Sequence, residues 1–211
     1  MKVLVIGATG RLGRKLVAYA LEQGHEVTAF ARNIEDFSIE DPKLTTVKGD
    51  VLYPMLLNAA VKGHDAVISV VGIRKYRGPI TLLSQGARNI IHAMEESGVK
   101  RLITITGAGI LQDSEDRLIM DTLSFPPNLQ NISLDHRRVF ECLQESSLDW
   151  TIACPAFMHA GERTGTYLVE EDYYPKGAQN MISVQDAADF IVKELEENQF
   201  VKHRVGLAYA L

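Results

Sequence analysis

Three glycines stand at Gly7-Ala8-Thr9-Gly10-Arg11-Leu12-Gly13, directly behind the apolar run Lys2-Val3-Leu4-Val5-Ile6. A strand feeding a glycine turn that opens a helix is the context in which such spacing cradles phosphates. Gly7 would permit the tight turn. Gly10 would let the backbone approach a pyrophosphate with no side chain between. Gly13 would let the helix pack closely. The helix opened by Arg11 and Leu12 would offer unpaired N–H groups and a positive dipole end to an anion. Ala8, Thr9 and these two residues complete the expected cradle. The plainer alternative is a purely structural strand-to-helix turn.

The second chemical signal closes the next β-rich run, at Phe30-Ala31-Arg32-Asn33. A carboxylate there would hold a ribose 2′-hydroxyl and repel a 2′-phosphate. Arg32 would attract the phosphate and bind it through two N–H groups, with Arg11 adding a second charge. The expected cofactor is therefore NADP(H) rather than NAD(H), unless Arg32 is only a solvated surface residue. Glu35 and Asp36 read as helix-start residues. Asp50, with Val51 beside it, suits contact with the adenine edge, or equally a structural turn. Gly72 follows the fourth β-rich run, where a small residue would let the cofactor cross the sheet.

A further group falls where an acceptor would sit. Thr106 ends the fifth run and could hydrogen-bond the nicotinamide or the acceptor, or simply pack as a β-former. His136 could donate a proton, or be an exposed or capping histidine. Pro155 stops the sixth run, and Phe157 behind it would wall the nicotinamide side or join the core. Tyr167, Tyr173 and Tyr174 could stack on a planar molecule or anchor a loop. Cys142 and Cys154 read as reduced thiols, and no metal-ligand spacing is present.

The elements that must position these residues alternate. Strands are expected at 2–6, 27–31, 44–47, 66–71, 102–106, 150–153 and 205–210, and helices at 11–23, 54–62, 80–96, 132–146 and 184–197, the last capped by Ser183. This alternation predicts an α/β fold, a Rossmann-type doubly wound parallel sheet flanked by helices, in a single domain over 1–211. Two long loops, about 108–131 and 156–180, would border the crevice. The net charge of −5 and the lack of a basic stripe argue against nucleic acid as a partner. No run approaches the roughly 20 apolar residues of a membrane span, and residues 1–6 do not resemble a signal peptide. A cytoplasmic protein, monomeric or a small homo-oligomer, is expected, with a small-molecule partner.

With these residues in hand, the chain resembles the NmrA-like branch of the atypical short-chain dehydrogenases, and within it the flavin reductases of the biliverdin-IXβ reductase type. The likeness rests on Ile6-Gly7-Ala8-Thr9-Gly10, Gly49-Asp50-Val51-Leu52, Asp65-Ala66-Val67-Ile68 with Gly72, and Gln85-Gly86-Ala87-Arg88-Asn89-Ile90. Asp135-His136-Arg137-Arg138, Leu148-Asp149-Trp150-Thr151 and Pro155 continue it. The resemblance implies NADPH-dependent reduction of a planar acceptor, a flavin, quinone or tetrapyrrole, by hydride transfer. Two departures stand out. No tyrosine is followed by lysine four residues on, which disfavours ordinary carbonyl reduction and sugar epimerisation. The serine and histidine of the flavin-reductase type align with Gly107 and Phe157, with His159 two residues further. The alternatives are a non-catalytic NADP(H)-binding sensor and, further off, a nucleotide-sugar epimerase or dehydratase.

Overall fold

The computed structural model describes residues 1–35, 37–73 and 78–211. The main sheet is built from β1 (Lys2–Ile6), β2 (Glu26–Ala31), β3 (Leu44–Lys48), β4 (Ala66–Ser69), β5 (Arg101–Ile105), β6 (Asp149–Pro155), β7 (Leu168–Glu171) and β8 (His203–Ala208). Its helices are α1 (Arg11–Glu22), α2 (Pro54–Val61), α3 (Leu82–Ser97), α4 (Gln130–Gln144) and α5 (Val184–Glu197). The strand order is β3-β2-β1-β4-β5-β6-β8-β7, parallel except for the edge strand β7. Val3 of β1 lies between Val27 of β2 and Ala66 of β4, so the order reverses beside β1. In an open α/β sheet that reversal leaves a crevice at the carboxyl ends of the strands.

Both faces are covered, which is why β4 is apolar and buried almost throughout. Helices α1 and α5 pack together on one face, and α2, α3 and α4 cover the other. Leu16, Val17 and Ala20 of α1 are fully buried among residues of the first layer. Leu57, Met94 and Leu143 do the same on the second face. Each of the leucine, valine and methionine side chains among them contributes about 1.5–3 kcal/mol. Ser183 caps α5 as expected, its Oγ accepting from the Asp186 N–H at 2.9 Å.

Several expectations change. The fourth strand stops at Ser69 rather than at residue 71. Glu35 starts no helix; it lies in a turn and pairs with Lys48, while Asp36 is outside the described residues. The stretch 108–131 is a folded insert: it carries three 3-10 turns and a hairpin of Gln112–Ser114 with Arg117–Leu118, and it buries Ile110, Leu111 and Met120. The stretch 156–180 contains β7, which alternation at its exposed edge did not signal. Arg204 ties the two stretches together through the Ile110 carbonyl and the Asp172 carboxylate. No helix among the described residues is long and apolar enough to cross a membrane.

Candidate functional site

The glycine turn is dictated by backbone crowding. Gly7 has φ +87° and donates its N–H to the Phe30 carbonyl at 2.9 Å. A Cβ on it would lie 2.8 Å from the Val70 carbonyl oxygen. A Cβ on Gly13 would overlap the same turn, at the Gly7 oxygen and the Ala8 backbone. Gly10 differs. Its added Cβ meets only the Gly7 oxygen, at 3.3 Å, because its other side is open. Ala8 and Leu12 turn their side chains into the core, Thr9 is partly covered, and Arg11 is exposed. Gly10 is the N-cap of α1, and among the described residues no side chain caps this end, whose first turn holds no acid. Unpaired N–H groups therefore face the crevice.

Arg32 follows β2 and is exposed, as is Asn33. Beyond β3, Asp50 closes a turn: its Oδ1 accepts from the Leu52 N–H at 3.0 Å. Val51 is buried, and the Asn89 amide of α3 donates to its carbonyl at 2.8 Å. Gly86, one turn earlier, is where a Cβ would come within 2.9 Å of Val51. The glycine and asparagine of Gln85-Gly86-Ala87-Arg88-Asn89 thus both serve the 50–51 turn. Gly72 lies beyond β4, exposed, and among the described residues no atom lies within 4 Å of an added Cβ.

The ends of β5 and β6 form the other half. Thr106 is buried, and its hydroxyl lies 3.2 Å from the Cys154 sulfur. It therefore points into the sheet layer instead of presenting a free hydroxyl to the crevice. Burial pushes the Cys154 thiol up to about 12, so it is an unreactive core group. His136, in the first half of α4, packs its ring about 3.5 Å from where a Gly107 Cβ would sit. Burial drives its pKa down to about 4, against a weaker opposing pull from Asp135. The ring is thus neutral at pH 7. Asp135 is fully buried and accepts from the Leu83 N–H at 2.9 Å and the Ser84 hydroxyl at 2.6 Å, capping α3 from outside. Arg138 donates to the Ile80 carbonyl. Asp135 and Arg138 so hold α4, and His136 with it, against the start of α3.

Pro155 is buried at the end of β6, whereas Phe157 is 69% exposed. His159 does not take a place beside it. Its Nδ1 donates to the Ala160 carbonyl at 2.7 Å, and Nε2 is buried with no partner among the described residues. The three tyrosines are not gathered at the crevice either. Tyr167 bonds Asp189 of α5 at 2.8 Å and packs edge-on against Phe190, and Tyr174 donates to the Gln179 carbonyl. Tyr173 lies beside the β7 edge with its backbone against Gly206, its ring partly exposed.

A family model described as NAD(P)H-binding matches residues 7–198. The chain belongs to this NAD(P)H-binding family. It is 30% identical to the Bacillus subtilis protein YwnB, itself uncharacterised, over 97% of this chain and 95% of that one. Among solved structures it resembles a Bacteroides thetaiotaomicron protein provisionally described as an epimerase, with a TM-score of 0.87 and 30% identity, covering 100% of this chain and 97% of the other. A Streptococcus pneumoniae protein provisionally described as an NADH-flavin reductase superposes with a TM-score of 0.86 and 27% identity, over 99% of both chains.

The glycine turn passes a local test of fit for a dinucleotide. An uncapped helix end, the open side of Gly10 and the bare approach over Gly72 are what a dinucleotide needs. Three residues that the sequence marked only as part of the resemblance have roles it did not give. Asn89 and Gly86 act on Val51, and Asp135 caps a helix whose Ser84 lies 51 residues earlier in the chain. Each partnership is tertiary. The signal available was only the oddity of glycine and asparagine inside a long helical pattern, and of a carboxylate on its inward face.

Proposed function

We propose that the protein is an NADP(H)-dependent reductase of a planar aromatic acceptor, a flavin, quinone or tetrapyrrole. The bound cofactor would supply the hydride. Gly7 to Gly13 would hold the pyrophosphate, Arg32 and Arg11 the 2′-phosphate, and Asp50 and Val51 the adenine edge. Gly72 would leave room for the cofactor to cross the sheet, and Pro155 and Phe157 would border the nicotinamide.

The observation that carries this reading is the character of the acceptor half. Phe157 offers an exposed aromatic face, and the two proton-donor candidates are withdrawn. Thr106 has its hydroxyl on Cys154, and His136 is neutral beside Gly107. Such a site orients an acceptor rather than protonating it. Flavins and quinones tolerate this, since their electron-poor rings accept hydride and take a proton from water later. A ketone would gain little here. The flavin-reductase description of the pneumococcal neighbour points the same way. The same withdrawn groups also suit a sensor that binds NADP(H) without turnover. NADPH oxidation with FMN, a simple quinone and biliverdin decides between them. Turnover with at least one acceptor is expected; tight NADPH binding with no turnover on the panel would leave the sensor.

A further inference from the structure

The first turn of α1 carries another arginine that the glycine spacing does not require. Arg14 is half-buried, and its Nε donates to the Thr9 carbonyl inside the glycine turn at 3.3 Å. Its guanidinium carbon lies 5.2 Å from the centre of the Phe37 ring. Phe37 is itself anchored: it packs against the core on the α1 and α5 face, and its N–H bonds the Ile34 carbonyl at 3.1 Å. Arg14 therefore spans from the glycine turn to the segment just after β2, the segment that begins with Arg32.

In a dinucleotide-binding sheet the adenosine ribose lies across that same gap, between the glycine turn and the end of the second strand. We propose that Arg14 is a specificity-determining residue for the ribose 2′-phosphate, with Phe37 as the platform that holds its plane. The inference rests on the NADP(H) reading above and deepens it. The chemistry follows from the two contacts. A guanidinium tied at Nε and lying over a ring has fewer orientations open to it, which favours the form in which arginine binds phosphate through parallel N–H groups. Arg11 and Arg32 are exposed and must be ordered when the ligand arrives. Arg14 is ordered beforehand. The acid at Glu35, in the same segment, is engaged by Lys48 and so is partly neutralised as a source of repulsion.

The test titrates the full chain calorimetrically with adenosine 2′,5′-bisphosphate and with 5′-AMP, which differ by the phosphate in question. Wild type should bind the bisphosphate more tightly. Arg14→Met should weaken the bisphosphate roughly tenfold, the loss of one charge-assisted contact, and leave 5′-AMP unchanged. Arg14→Lys keeps the charge but loses the plane and should fall between, and it stands in if Arg14→Met melts early by circular dichroism. Phe37→Leu should reproduce a smaller part of the loss. If wild type discriminates and both Arg14 variants discriminate equally well, the assignment is wrong and Arg11 with Arg32 suffices. Equal weakening of both ligands would make Arg14 a support of the turn and also overturn it. If wild type itself does not discriminate, the NADP(H) reading falls and the Arg14 assignment with it.

Discussion

The two ends of the crevice are built by different means. At the glycine turn the constraint is backbone against backbone: Gly7 against the Val70 carbonyl, Gly13 against Gly7 and Ala8. Around the ends of β5 and β6 the constraint is side chain against distant side chain: Thr106 on Cys154, Asp135 on Ser84. The first kind admits one residue type and leaves a spacing. The second admits many residue types and leaves almost none. A fold can therefore announce its cofactor while concealing its acceptor.

The sharpest way to break this contrast is inside the turn itself, where two glycines of one motif should fail differently. Gly13→Ala places a methyl on the Gly7 oxygen and the Ala8 backbone, neither of which can move without opening the turn. It should lower unfolding stability by about 3 kcal/mol, the upper range for overpacking, in a denaturant titration. Gly10→Val should fold, at the cost of a poorer N-cap of about 1 kcal/mol, and lose cofactor binding because its side chain fills the open side. Equal stability loss in both variants, with binding retained in Gly10→Val, would make the turn structural only.

That difference explains what was legible. Among the described residues, the seven parallel strands of the main sheet and the five α-helices were readable, with ends displaced by a few residues, because each shows an apolar run or a helical period; the short parallel pair Met158–His159 and Ile182–Ser183 was not. The edge strand β7 was not: four residues, two of them acidic and exposed, carry no alternation of note. The 108–131 insert looked like a loop because its order comes from short 3-10 turns and from Arg204, nearly a hundred residues away. In the candidate site, Gly7, Gly10 and Gly13 stood out through their spacing and Arg32 through its place after β2. Thr106 and His159 sat at suggestive places along the chain, but only packing decides which way a strand-end hydroxyl or an imidazole turns.

The next test concerns the half-buried His136. Its pKa in the folded chain is about 4, below the ordinary 6.5 that the unfolded chain would show. Between those values the unfolded state binds more protons, so stability rises with pH across about pH 4 to 6.5 and is lost as pH falls through that window. At 1.36 kcal/mol per unit the swing is at most about 3 kcal/mol. Buried carboxylates such as Asp186 and Asp189 are held below their ordinary range and lose their contribution at lower pH, whereas His25, also lowered by burial, adds a part of the same sign that His136→Gln leaves in place. Denaturant titrations at pH 4.5 and 7 should show the swing in wild type and a flatter response in His136→Gln. An undiminished response in that variant would place the titration elsewhere.

Arg32→Glu sharpens the comparison from the cofactor side. An exposed arginine replaced by an acid should cost NADPH binding about 1.5–3 kcal/mol, the range for a hydrogen bond to a charged group, and leave NADH nearly untouched. Fluorescence titration with both cofactors measures it. Equal affinities for NADPH and NADH in the wild type would remove Arg32 from cofactor selection.

The smallest effect expected is the most informative about the acceptor half. Thr106 stands at the end of β5, where a hydroxyl acting on the nicotinamide or acceptor would be well placed along the chain. Its side chain instead meets Cys154, with only 7% of the residue exposed. Thr106→Val keeps the β-branched shape and removes the hydroxyl. The Cys154 thiol loses its partner at 3.2 Å but keeps the Ile152 carbonyl at 3.7 Å, so no buried donor is wholly stranded. The loss should be about 1 kcal/mol of stability, the ordinary net value of one such bond, seen as a lower denaturation midpoint with an unchanged slope. Turnover of NADPH with whichever acceptor is active should change by less than about twofold, because less than 0.5 kcal/mol of barrier then depends on that oxygen. A catalytic hydroxyl would give the opposite pair of results: stability held, kcat reduced by an order of magnitude or more. The two measurements on one variant therefore tell a group that supports the sheet end from a group that acts on the substrate.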